Sequence, residues 1–137
     1  MRTVAIAVAM LASGIGVGVA ADRVASAQQP APGIKRTILQ RVDDPGSPTY
    51  EAIQGIAEIA PGAASGKHRH HGIEVAYVLE GSMVVEKEGQ APKTLKAGDA
   101  FTNMAEVHNA KNLGKAPVKI LTVYIVEKGK PLAEPVP

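Results

Sequence analysis

Apolar and polar residues alternate in short runs along most of this chain, and turn residues separate the runs. Ile34–Val42 alternates as a strand. Asp43-Asp44-Pro45-Gly46-Ser47-Pro48 reads as a loop on composition. Residues 50–60 form the next strand run, with Ile53, Ala57 and Ile59 on one face, and Pro61-Gly62 ends it. Glu74–Glu80 and Ser82–Glu88 are two runs joined at Gly81, followed by Lys93–Lys96, Ala100–Asn103, Val107–Leu113 and Pro117–Glu127. No segment longer than ten residues carries a helical apolar stripe free of Gly and Pro. Many short strands between regular turn signals predict an all-β sandwich or barrel in a single domain.

The strand over 117–127 is apolar on both faces. Val118, Ile120, Tyr124 and Val126 face one way, and Leu121, Val123 and Ile125 the other. One face fills the barrel; the other needs a second sheet or subunit, which raises the expectation of a homodimer.

The N-terminus has a different pattern. Arg2 precedes an uncharged apolar run from Val4 to Ala21, and Ala25-Ser26-Ala27 has the small-x-small form of a cleavage site. Residues 1–27 are therefore expected to be a signal peptide cleaved after Ala27, with Ala20 the second choice and an uncleaved anchor the alternative. The mature protein would be periplasmic or secreted. It would comprise a lead-in with the first strand (28–49), the main domain (50–127) and a Pro-rich C-terminal tail (128–137).

Composition narrows the function. The chain has 137 residues and no Cys, which excludes disulfides, thiolate metal sites and a Cys nucleophile. A net charge of +2, with 3 Tyr, 1 Phe and no Trp, argues against nucleic-acid binding. Of the 4 His, His68, His70 and His71 lie together. Two residues apart on a strand share a face, so the His-x-His spacing brings His68 and His70 side by side only if the segment is extended. Glu74 is too far along a straight strand to share their ion, so the chain must turn at His71-Gly72. His108 is the candidate fourth ligand. His71 has the opposite parity and is expected at the rim. The alternative is a solvated basic loop carrying Lys67 and Arg69.

Gly62-x5-His68-x-His70-x3-Glu74-x6-Gly81 matches every fixed position of the first cupin motif. The second motif is matched in part. Gly98, His108 and Asn112 are present, whereas Met104-Ala105-Glu106 replaces its Pro and Gly, and the segment is one residue shorter. Over about residues 50–127 the chain resembles a small single-domain cupin of the quercetin-dioxygenase-like group. The resemblance implies a jelly-roll β-barrel with one divalent transition metal (Fe, Mn, Ni, Cu or Zn) held inside by His68, His70, Glu74 and His108. Glu106, two residues before His108, would share its face on a strand. It is a candidate acid/base group or a carboxylate supporting the ligands, with a solvent-facing position as the alternative. Met83 and Met104 are expected in the core or pocket, and Ala76, Val78 and Ala100 as its small apolar lining. Such a lining supplies few acid/base groups.

Three functions fit: a metal-dependent enzyme on a small organic substrate (dioxygenase-like, an isomerase next), a non-catalytic binding module for a small ligand, or a copper or zinc buffer.

Overall fold

A computed structural model describes residues 30–137, and they form ten strands. The signal expected over 1–27 lies outside these residues. The strands are β1 (Ile34–Asp43), β2 (Tyr50–Ile59), β3 (His68–Arg69), β4 (Gly72–Glu80), β5 (Ser82–Lys87), β6 (Lys93–Lys96), β7 (Ala100–Asn103), β8 (His108–Lys111), β9 (Val118–Glu127) and β10 (Glu134–Pro135). They make two five-stranded sheets, β1-β2-β9-β4-β7 and β10-β3-β8-β5-β6, with antiparallel pairing throughout. This is the all-β single domain expected from the alternating pattern, in the jelly-roll form that the cupin resemblance implied.

Burial follows strand parity. In β9, Val118, Ile120, Thr122, Tyr124 and Val126 are buried, and their neighbours are not. The main apolar cluster joins Ile59, Ala76, Val78, Met83, Val85, Leu95, Val118 and Ile120. A second cluster of Ile53, Tyr124 and Val126 packs against Leu132. Polar groups close the gaps. The buried Asn112 amide donates to the carbonyls of Ile59 and Ala116, and its Oδ1 accepts from the Gly114 amide. The motif Asn therefore pins a turn to a strand end and takes no part in ligand chemistry.

Three details differ from the sequence pattern. The Pro-rich segment 128–137, expected as a tail, folds back so that β10 pairs with β3 and Leu132 enters the second cluster. Short apolar and backbone contacts there outweigh the weak propensity of a Pro-rich sequence. Ala100 faces outward, and the wall position falls to Phe101. Met104 is exposed, because residues 104–107 form a bend in which strand alternation does not hold.

Candidate metal centre

His68 and His108 are direct partners across the β3–β8 ladder, so backbone pairing alone sets their rings side by side. His70 follows β3 with the same inward parity, and the outward Arg69 between them is exposed. The chain then crosses to the other sheet at Gly72, where a Cβ would overlap the Ile125 carbonyl oxygen. Only glycine permits this approach, and it aims Glu74 of β4 back at the histidines. In the same ladder Glu74 stands between Asn103 of β7 and Tyr124 of β9.

The four side chains meet in the interior. The ring centroids are 5.0 Å apart for His68–His70, 4.3 Å for His68–His108 and 5.0 Å for His70–His108. One nitrogen from each ring lies within 4.8 Å of the other two. Glu74 Oε2 is 3.3 Å from His70 Nε2 and 3.8 Å from His108 Nε2. All four residues are buried.

The backbone sets the tautomers. His68 Nδ1 faces the Gly66 carbonyl at 2.9 Å, and His108 Nδ1 faces that of Glu106 at 3.0 Å. His70 Nδ1 faces the Leu132 carbonyl. A ring nitrogen facing a carbonyl must donate, so each Nδ1 carries the proton and each Nε2 presents a lone pair. The Asn103 amide donates to Glu74 Oε2 at 2.6 Å and fixes that carboxylate.

Burial pushes His68 down to about 4; the nearby His108, His70 and Arg36 charges add to this, against the Gly66 hydrogen bond. His108 is also lowered, mainly by burial. Burial opposes ionisation of Glu74, but His70, Asn103 and His108 outweigh it and hold the carboxyl down to about 2. The result is two imidazoles, His68 and His108, biased to the neutral form beside an ionised carboxylate, protonation states that favour metal binding.

A metal fits this donor set. Among the described residues, three buried side-chain polar atoms have no hydrogen-bond partner: His70 Nε2, Asn103 Oδ1 and Arg36 Nε. Orphaned atoms of this kind are rare in native interiors. An ion would satisfy the one on His70, and three imidazoles with a carboxylate suit a divalent transition metal. The three buried histidines can thus hold a metal ion.

Of the remaining expected residues, His71 sits at the rim, half-buried, with Nε2 3.4 Å from Glu134 Oε2. Glu106 is placed differently from its candidate role. Its carboxylate turns away to Lys87 Nζ at 2.9 Å, and only its backbone carbonyl serves the site, through His108. The parity argument does not apply there because residues 105–106 bend.

The sequence reading passed over Arg36 and Asn103, and placed Tyr124 only as barrel filling. All three line the cavity beside the triad, with Ser65 and apolar walls from Ile34, Ala57, Val85, Phe101 and Ile120. Arg36 had one visible signal, its inward parity with Ile34 on an otherwise exposed strand. Burial pushes the Tyr124 phenol up, and Glu74 adds to the shift, so it stays protonated.

Two antiparallel sheets enclosing a three-histidine centre define a β-barrel protein with an internal cluster able to hold a metal ion. A model of the cupin domain matches residues 55–124, and the chain belongs to that family. No curated protein matches it. Among solved structures, it is similar to a conserved protein with a double-stranded β-helix domain from Klebsiella pneumoniae (TM-score 0.61, 21% identity, covering 74% of this chain and 85% of that one). KdgF from Halomonas sp. aligns with a TM-score of 0.56 and 27% identity over 71% of this chain and 83% of that one. DMSP lyase DddQ from Ruegeria pomeroyi gives 0.54 and 20%, over 67% of this chain and 46% of that one.

Proposed function

We propose that this cupin is an exported, mononuclear metal-dependent enzyme with dioxygenase-like chemistry on a small organic substrate. His68, His70, Glu74 and His108 would be the ligands. The carrying observation is that one ring nitrogen from each of three buried histidines lies within 4.8 Å of the other two, with the Glu74 carboxylate 3.3 Å from His70 and 3.8 Å from His108. The bound metal would supply activation of dioxygen or polarisation of a carbonyl. The chain's own residues do the rest. Backbone carbonyls orient the imidazoles, Asn103 orients Glu74, and apolar walls flank them. Glu106 is already paired with Lys87, so among the described residues Glu74 is the one carboxylate of the cavity wall. A site so poor in acid/base groups suits metal-centred chemistry better than hydrolysis. The same poverty favours the second reading, a non-catalytic small-ligand module.

Export rests on Arg2, the apolar run and Ala25-Ser26-Ala27. Finding Gln28 at the N-terminus of the mature protein would support it. The homodimer rests on apolar side chains left on the outer face of the first sheet, Val75, Tyr77, Leu79 and Ile125.

The test is anaerobic reconstitution of the mature protein with Fe(II), Mn(II), Ni(II) or Cu(II), followed by oxygen uptake with phenolic and diketone substrates. One metal per chain, its loss in a His68→Ala/His70→Ala double variant, and turnover with at least one metal are expected. Absence of bound metal overturns the metal reading. Bound metal without turnover overturns the oxygenase and leaves the binding module.

A further inference from the structure

We propose that Arg36 anchors the carboxylate of an anionic ligand, so that the site selects small carboxylic acids over neutral molecules of the same shape. This rests on the metal-centre reading and adds the ligand class to it.

Arg36 reaches inward from β1, opposite Ala57 of β2. It lines the cavity shared by His68, Glu74 and His108. Among the described residues it forms no ion pair and no side-chain hydrogen bond, and its Nε is buried without a partner. A guanidinium remains charged at any physiological pH, and half-burying it with its Nε sealed from solvent and unpaired carries a desolvation cost. Other half-buried or buried charged groups near the site have a partner. Lys87 has Glu106, and Glu74 has Asn103. Arg36 is left unpaired, with a planar fork of donors that matches a carboxylate.

The surroundings favour an anion. A divalent ion on three neutral imidazoles and one carboxylate retains one positive charge, and Arg36 adds a second. A second chamber of about 230 Å³ shares Arg36, Ser65 and His68 with the inner cavity, and Lys67 also lines it. No carboxylate lines that chamber among the described residues. The inner cavity is about 40 Å³. That is room for only about three water-sized groups. The ligand therefore places a small oxygen-bearing end beside the Nε2 atoms and its carboxylate on Arg36, with any larger part in the outer chamber.

The test uses the mature protein, metal-free and Co(II)-loaded, titrated by calorimetry with glycolate, oxalate and their neutral amides. Wild type is expected to bind the acids and to bind the amides at least about tenfold more weakly, the scale of a charge-assisted hydrogen bond. Arg36→Gln should lose that discrimination, and Arg36→Lys should keep part of it. Both variants should retain cobalt, and Arg36→Gln should melt no lower than wild type, since it removes an unpaired, half-buried charge. A merely structural arginine would lower the melting temperature. Amides bound as tightly as acids, or undiminished acid binding by Arg36→Gln, would overturn the proposal. Failure to take up cobalt would count against the metal reading alone, and the metal-free titrations would still decide the role of Arg36.

Discussion

Gly72 carries the sharpest steric demand at the site. It has a φ of 153° and lies against the Ile125 carbonyl oxygen, so an added methyl group forces β4 and β9 apart. Gly72→Ala is expected to destabilise the fold by on the order of 3 kcal/mol or more, readable as a lowered urea midpoint. His68 makes a different prediction. Its folded value of about 4 lies below the 6.5 of the unfolded chain, so the unfolded state binds more protons between the two. The stabilisation is complete above pH 6.5 and is lost as pH falls through 4. Urea midpoints of the metal-free protein should therefore fall from pH 7.5 to pH 4.5; a flat profile would contradict a buried neutral His68. Residue types and spacing in the sequence made His68, His70, Glu74 and His108 legible. Arg36 and Asn103 were not, because each is an ordinary polar residue whose importance comes from neighbours distant in sequence.

The elements divide between those specified locally and those specified by contact. Lys93–Lys96 and Ala100–Asn103 match the pattern-based ranges to the residue, since turn residues bracket clean alternation. The last strand, β10, was invisible. Two residues within a Pro-rich stretch carry no period, and pairing with β3 alone makes them a strand. That return has a function at the site. The Leu132 carbonyl fixes His70, and Glu134 Oε2 sits 2.6 Å from Arg69 Nε. Removing residues 131–137 should weaken metal affinity by about tenfold to a hundredfold, the usual cost of losing a group that orients a ligand. The loss of Leu132 should also lower thermal stability. Chelator competition and melting curves check the two effects, and unchanged affinity in the shortened chain would show that the segment does not hold His70.

At the scale of the whole molecule, both faces of the first sheet are apolar, and only one is covered. Tyr77 is 45% exposed, Val75 47% and Ile125 40%, a set too continuous for isolated surface residues. A second copy packing on this face would bury them and compensate for a core that has no disulfide to support it. Light scattering on a sizing column is expected to give a dimer at micromolar concentration, and Tyr77→Lys should shift it toward monomer. A wild-type monomer would remove this reading without touching the candidate metal centre, whose four proposed ligands all come from one chain.

By itself, the sequence determined the class of fold and the candidate ligand types. Alternation with period two can bury only one face of each strand, and a His-x-His pair shares a face only when extended. The tertiary structure alone decided which groups surround those ligands. Across the ladder, His68 meets His108 and Glu74 meets Asn103. The carbonyl of Leu132 and the side chain of Arg36 arrive from opposite ends of the chain. Such pairings depend on register between distant strands, and register is set by the packing of the whole barrel, which no local pattern encodes.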